Sequence, residues 1–483
     1  MQRSEFTGES SSPVARIETI FWLITTALFT NSILFKIDFI GAYLNTPRPD
    51  CVKHRFLYLP KEIADVLVKV EPSYVNFQQS DGRILVEMDH LLYGYKEAGY
   101  FWYKLLLSMF ISNGYQQSHW DQCLVFKHDA LKTSAITIVV DDCLCKVDSI
   151  ETKEEVILMC REAFKRITIE DGPQLNYLGM TLDLRTQGQC SIAQQKFVST
   201  LHDLVPEAKA ISSPYGFAFL TDPPSDDPPC DRERFRSVVM SCMYAGKRTY
   251  PEILYGVCIL ASATAHATVT HWRRLLRIVG YVIFAHNHAL VLRPASLNII
   301  VSADSSHAEH PDCKSHTGGC VGVKGDGFTP DSYFLFYSAK QSIVTKSSME
   351  SEMVAQDTMV DWGVWSAGIR DDLLSPKDLD SIAIQASQLN LRDNPEMREV
   401  FDPIVIQNDN LSAITTLNKG RASFKRTKHI LKRYFYISEL ITAGRVELQW
   451  IASANLVADM LTKAVDASTF HRLLPMLLGK TPN

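Results

Sequence analysis

The sequence predicts a mixed α/β (α+β) chain of about three domains, on three observations. Its 483 residues exceed what one hydrophobic core organises, at roughly 150 residues per domain. Short β-branched runs alternate with amphipathic stretches on both sides of a Pro- and Asp-rich segment, YGFAFLTDPPSDDPPCD. A composition of 46% hydrophobic and 21% charged residues is that of an ordinary folded protein, with no tract biased enough to suggest a disordered half.

The pattern from Ile17 to Phe35 suits a helix. Its apolar part, Ile20 to Phe35, contains Thr25, Thr26, Thr30, Asn31 and Ser32, so it falls short of the roughly 18 unbroken apolar residues of a membrane span and reads as a buried helix. Glu5 and Glu9 precede any apolar core, which argues against a secretion signal. ILFKIDFIGAYL then reads as a buried strand with Asp38 in its middle, where a charge is costly. Pro47, Pro49 and Asp50 break the run, and HRFLYLP and RILVEMD are short strands around a helix from Lys61 to Val70. A helix from Glu97 to Asn113 stops before Gly114. TSAITIVVDDCLCKVD is patterned as a hairpin carrying Asp141 and Asp142 at its turn, where adjacent acids repel unless cations sit there. A helix from Thr152 to Arg166, a strand pair around LNYLGMTLDLR, and QCSIAQQKFVSTLHDLV complete this half. Beyond the Pro/Asp linker, ERFRSVVMSCMYAGKRTYPEILYGVCILAS and THWRRLLRIVGYVIFA read as helices of a connecting region. Strand, helix and strand alternate again from LNIIVSADSS to Lys463.

A net charge of −5 is low for a protein that holds a polyanion, so any such surface must come from local clusters. KGRASFKRTKHILKR, Lys419 to Arg433, is the clearest, and HWRRLLR, His271 to Arg277, the second. Ile430, Leu431, Tyr434, Phe435 and Ile437 interleave the first at helical spacing, which leaves one apolar side for burial and a basic side outward. That basic side suits a grip on a phosphate backbone or, equally simply, a solvated helix face. The 11 cysteines form no C-x-x-C pair and no zinc pattern, which fits a reducing, intracellular compartment, cytoplasmic or nuclear.

Two sets of acids stand out, the first in or beside apolar strands, where propensity alone would not place them. Asp38, Asp141 and Asp142 form the first; Asp304, Glu352, Asp409 and Asp459 form the second. Carboxylates of this kind, gathered from remote segments, are what paired metal ions about 3.5–4 Å apart require for phosphoryl transfer on nucleic acids. Glu350 competes with Glu352, but two residues turn a helix by about 200°, so only one of them can face the ions.

At these residues the chain resembles copia-type retrotransposon polyproteins. IDFIGAYLN is similar to the first catalytic strand of their reverse transcriptases, LLYGYKEAGYFWYKLL to the nucleotide-site segment and IVVDD to the aspartate-pair hairpin, with SPVARIETI and LNYLGMTLDL in matching order. NIIVSADSSHAEHPDCKSHTGG, YSAKQSIVTKSSMESEMVAQD, IVIQNDNLSAI and KGRASFKRTKHILKRYFYISELITAGRVELQWIASANLVADMLTKA resemble successive segments of their ribonuclease H. The resemblance implies a reverse-transcriptase palm with incomplete fingers over 1–185, a thumb- or connection-like helical region over 186–296, a ribonuclease H-like mixed-sheet domain over 297–465 and a tail over 466–483. It implies that Asp38, Asp141 and Asp142 hold Mg²⁺ or Mn²⁺ for polymerisation, that Tyr43 is the gate against a ribose 2′-hydroxyl, and that Tyr93 lines the nucleotide pocket. Asp304, Glu352, Asp409 and Asp459 would hold the metal ions of the nuclease, and Lys425, Arg426, Lys428, His429 and Arg433 would contact nucleic acid, His429 serving either substrate or a loop. Expected partners are an RNA template, a DNA primer, an RNA/DNA hybrid and, for an active polymerase, deoxynucleoside triphosphates; no membrane is expected. Val139 stands where the family has an aromatic residue, Gly99 and Tyr100 replace Pro and Arg, and the basic fingers have no counterpart before Ser12. Two readings therefore stay open: an RNA-directed DNA polymerase with ribonuclease H, or a remnant or domesticated nucleic-acid-binding protein whose polymerase is lost.

Overall fold

Three sheets and a ribbon organise the chain, in a computed structural model that describes residues 10–52, 54–129, 132–216, 219, 221, 223–380, 401–419 and 428–481. The N-terminal sheet is built from β1 (Ile33–Phe39), β4 (Gln116–Gln117), β5 (Leu124–His128), β6 (Thr133–Val139), β7 (Asp142–Val147) and β8 (Ile167–Asp171), in the order β4-β5-β6-β7-β1-β8. Between β1 and β4 lies a two-stranded ribbon, β2 (Phe56–Leu59) with β3 (Ile84–Glu87), spanned by the helix Lys61–Val70 as its sequence pattern predicts. Except for its last residue, β6 is buried along its whole length rather than on alternate residues. That continuous burial follows from cover by packed helices, and it is why TSAITIV reads as an unbroken β-branched run.

The helix Ile17–Phe29 supplies that cover and explains its own composition. It lies on β1, β6 and β7 with one side and meets the C-terminal domain with another, so Thr19 to Ala27 are all buried. A helix packed on both sides is apolar all round. Trp22 meets Phe334 edge-to-face at 4.9 Å across this junction. Among the described residues no helix is long and apolar enough to cross a membrane.

A four-stranded antiparallel sheet follows: β9 (Gln174–Tyr177), β10 (Met180–Asp183), β11 (Cys190–Ala193) and β12 (Leu290–Leu292), in the order β12-β11-β10-β9. The turn between β9 and β10 has two residues, Leu178 and Gly179, both at positive φ, the geometry that matches strand twist in a tight hairpin. The chain leaves β11 through the helices Gln195–Leu204, Arg232–Gly246, Leu254–Ser262 and Val269–Phe284 and returns as β12, so the connecting helices close back on the sheet they left.

The C-terminal sheet is mixed. It consists of β13 (Ile299–Ser306), β14 (His316–Val323), β15 (Ser332–Lys340), β16 (Ile404–Asn408) and β17 (Val446–Trp450), in the order β15-β14-β13-β16-β17. β13, β14 and β15 pair antiparallel, while β16 and β17 run parallel to β13. Parallel pairing needs crossovers; the helix Ser348–Asp372 makes the first, and Leu411–Asn418 with Lys428–Thr442 make the second. Two glycines of β14 set how near its neighbours come. A Cβ on Gly319 would lie 2.6 Å from Met359 Sδ on the long helix, and one on Gly318 would lie 2.5 Å from Thr462 Cγ2. Because Gly318 is the register partner of Asp304, its missing side chain is what lets the turn of helix Asp459–Thr462 reach that acid.

The long helix ties the two halves together. Its C-terminal end docks on the N-terminal sheet: Trp365 Nε1 donates to Trp120 O at 3.0 Å, Ser118 Oγ to Asp372 Oδ2 at 2.6 Å, and the buried Lys146 Nζ to Leu373 O at 2.8 Å. Asp459 opens the short helix Asp459–Thr462, and a further helix follows it. Within the stretch read as a tail, Ala467–Leu477 is helical and buries Phe470, Leu473 and Leu477, while Val291 N donates to Leu478 O at 2.9 Å.

Candidate metal centre and its flanking acids

Asp304 lies in β13, and Asp409 directly follows β16. The two strands are parallel neighbours in register, Ser302 opposite Gln407, so both acids emerge at the same carboxyl-terminal edge. Glu352 joins them from the long helix, whose start is capped by Ser347 Oγ accepting from Glu350 N. Side-chain oxygens of Asp304, Glu352 and Asp409 all lie within 4.8 Å of one another, and among the described residues no other three His, Cys, Asp or Glu side chains meet this closely. Glu350 points elsewhere: its Oε2 accepts from Lys346 N at 2.7 Å. Of the two acids left open by sequence, Glu352 is the one the fold brings to the cluster.

Burial and mutual repulsion make this arrangement expensive. Glu352, only 5% exposed, has its carboxyl pushed up to about 8 by burial and then by the charges of Asp304 and Asp409, against which an Asn408 hydrogen bond acts. Asp459 is pushed up to about 7 by burial and by Asp304, opposed by Lys463. Lys463 Nζ stands 2.9 Å from Asp459 Oδ1 and 3.6 Å from Asp304 Oδ2, and these acids raise its own pKa despite the opposing cost of burial. Thr462 Oγ1 donates to Asp304 Oδ2. Asn408 Nδ2 donates at 2.9 Å to both Glu352 Oε2 and Ala303 O, while Ser453 Oγ donates to Asp409 Oδ2 at 2.6 Å.

Asn408, Ser453, Thr462 and Lys463 were not read from sequence. For the last two a signal existed, since positions three and four beyond Asp459 share its helix face. Asn408 is revealed only by strand pairing, and Ser453 only by the turn that follows β17.

The first acid set occupies a different setting. Asp38 and Asp142 are register partners on β1 and β7, and Asp141 sits in the turn, where Phe39 N donates to its carbonyl at 3.0 Å. Lys36 Nζ pairs with Asp142 Oδ1 at 2.7 Å, and Thr168 Oγ1 donates to Asp38 Oδ2 at 3.2 Å. Asp141 has its carboxyl raised by burial and by the charges of Asp142 and Asp38. Tyr43 and Tyr93 meet close by, ring centroids 4.6 Å apart and planes tilted by 43°, and burial followed by the charge of Asp141 raises both phenols. Turn residue Val140 has φ 56°, a left-handed conformation that a β-branched residue rarely adopts, and Trp102 Nε1 holds its carbonyl at 2.7 Å. The five predicted residues are thus neighbours, but the three acids do not meet as the C-terminal cluster does.

Of the basic run, Lys425 and Arg426 lie outside the described residues, as do the side chains of Lys428 and His429. Arg433 turns inward, its Nε 3.0 Å from Asp357 Oδ2. Burial raises the Asp357 carboxyl to about 6, and Arg433 works against that rise. Tyr434 and Ile437 are buried as the spacing predicts, whereas Phe435 is 49% exposed, because one helix face cannot carry both 434 and 435 inward.

Residues 1–206 match the family model described as reverse transcriptase (RNA-dependent DNA polymerase). Retrovirus-related Pol polyproteins from transposons RE1 and RE2 of Arabidopsis thaliana are each 23% identical to it over 96% of the chain. That from transposon TNT 1-94 of Nicotiana tabacum is 24% identical over 83%. The N-terminal region is thus similar to reverse transcriptases, and the chain over most of its length is similar to part of these retrotransposon Pol polyproteins. It spans 28%, 29% and 28% of the length of these relatives. Among solved structures, the foamy viral protease-reverse transcriptase in complex with RNA/DNA hybrid superposes loosely, at TM-score 0.46 and 12% identity, over 87% of this chain and 44% of that one. The native prototype foamy virus protease-reverse transcriptase gives a TM-score of 0.21 at 9% identity, over 99% and 70% of the two chains.

Proposed function

We propose that the chain acts on RNA/DNA hybrids by metal-assisted phosphoryl transfer, with ribonuclease H activity in the region 297–465 and an RNA-directed DNA polymerase region over 1–185. The observation that carries this reading is the meeting of Asp304, Glu352 and Asp409 within 4.8 Å from three separate elements, with Asp459 beside them. An all-oxygen, all-anionic donor set fits hard divalent cations, Mg²⁺ or Mn²⁺. Asp304, Glu352, Asp409 and Asp459 would hold them, and the ions when bound supply water activation and stabilisation of the departing 3′-oxygen. Within the chain, Asn408 orients the Glu352 carboxylate, Thr462 orients Asp304 and Ser453 orients Asp409, which keeps the donors convergent. Incubated with Mg²⁺ and an RNA/DNA hybrid, the protein cuts only the RNA strand, and Asp409→Asn abolishes cutting. An unchanged rate in that variant would refute the assignment.

A second reading is favoured for the N-terminal half by the Lys36–Asp142 ion pair, which ties up one of three acids that do not otherwise cluster. On that reading the half retains the polymerase acids Asp38, Asp141 and Asp142 without polymerising. Primer extension on a poly(rA) template, with deoxynucleoside triphosphates and Mg²⁺, then gives little product; robust extension by this chain alone sinks it.

A further inference from the structure

The four C-terminal acids fall into two unequal compartments that share Asp304. In one, Asp304 meets Glu352 and Asp409 within 4.8 Å. In the other, Asp304 and Asp459 already have a cation between them, because the Lys463 ammonium stands 3.6 Å from the first and 2.9 Å from the second. We propose that Lys463 is a resident counter-cation of the Asp304 and Asp459 pair, a positioning residue that a second divalent ion must displace, so that the site takes up two ions with unequal affinity. This rests on the metal-dependent reading given above.

The local backbone is built for such an exchange. Lys463 follows the last residue of the helix Asp459–Thr462 and is already extended, at φ −149° and ψ 157°. Its side chain is 42% exposed. The ammonium can therefore swing to solvent without moving the turn that carries Asp459. Thr462 Oγ1 still donates to Asp304 Oδ2 when it does, so the acid keeps its orientation after losing its charge partner. Until an ion arrives, Lys463 relieves the repulsion between two buried carboxylates, which pair with no other cation among the described residues. Two roles follow: it holds the acids in place before loading, and it competes with the second ion.

The test is a Mn²⁺ titration of the full chain followed by electron paramagnetic resonance, with melting temperature as a second readout. The wild type shows one tight and one weak class of site. Lys463→Met tightens the weak class by about two- to fivefold, the range expected when a half-exposed ion pair is removed as competitor. The tight class stays as it was, and the metal-free melting temperature falls. Lys463→Arg, which keeps the charge, leaves the weak class weak; Lys463→Gln replaces the Met variant should that one not fold. Weak-class affinity in Lys463→Met or Lys463→Gln equal to wild type overturns the role of Lys463 and leaves the metal site standing. No saturable Mn²⁺ binding by the wild type, or binding indifferent to Glu352→Gln, overturns the metal-dependent reading itself.

Discussion

Two sets of acids, one on a pair of adjacent strands and their turn and the other drawn from strand ends and helices, end in different electrostatic states. Around β1 and β7, Asp38 and Asp142 face each other across a ladder at the partly exposed end of the sheet, and Lys36 neutralises one of them. Around β13 and β16, Asp304, Glu352 and Asp409 are pressed together, with Glu352 displaced far enough from its ordinary titration to sit at about 8. The difference teaches that adjacency in a sheet is inexpensive, whereas convergence from three elements under burial must be enforced by the rest of the fold. Here the enforcement is visible: Gly318 admits the Thr462 turn, Asn408 holds Glu352, and the long helix is anchored at its far end by Lys146.

The largest test of that contrast is a pair of charge-removing variants. Glu352→Gln should lower RNA cleavage by on the order of 10³-fold, since loss of a metal-holding carboxylate removes several kcal/mol and each 1.4 kcal/mol is tenfold. Asp141→Asn should leave the cleavage rate unchanged in the same assay. Should Asp141→Asn impair cleavage as severely, the two sets do not act independently and the comparison breaks.

Next in size is Asn408→Ala. Its Nδ2 group orients Glu352 without belonging to the acid cluster, so the loss expected is about 10- to 100-fold in cleavage or in Mg²⁺ affinity. An effect below twofold would mean that Glu352 is held by packing alone.

A smaller effect concerns pH. Glu352 and Asp459 titrate near 8 and 7 in the folded chain, above the ordinary carboxylate range. The folded state therefore binds more protons than the unfolded one across that interval, and stability falls as pH rises through it. Thermal melts of the metal-free protein should drop by on the order of 2–4 °C between about pH 5 and pH 8, with Mg²⁺ opposing the drop and Glu352→Gln flattening it. A melting temperature that climbs over this window contradicts the burial cost assigned to the cluster.

The smallest effect belongs to the N-terminal turn. Val140→Gly relieves a left-handed conformation costing roughly 1–2 kcal/mol and adds roughly 0.5–1 kcal/mol of chain entropy, so denaturant melts should show a gain below about 1.5 kcal/mol. A loss of stability would show that the valine side chain contributes more by packing than its φ costs.

Much of this was legible beforehand for a physical reason: local chemistry is written locally. The β-branched run of β6, the helix Lys61–Val70, the acid-bearing hairpin and the apolar face of Lys428–Thr442 follow from periodicity and propensity, which act over a few residues. Asp304, Glu352, Asp409 and Asp459 could be nominated because acids in apolar contexts are costly, and because their segments resemble a known family in order. The sequence by itself thus determined which elements form and which charges they carry.

Only the tertiary structure decided which charges meet. It brought Glu352 rather than Glu350 to the cluster, gave Arg433 to Asp357, set Lys463 between two acids and buried the helix Ile17–Phe29 between the N-terminal and C-terminal sheets. Each of these outcomes depends on a register or a close approach between segments far apart in the chain, such as Asp304 opposite Gly318. Coulombic and steric terms between such segments vary over ångströms, a scale that spacing along the sequence does not encode.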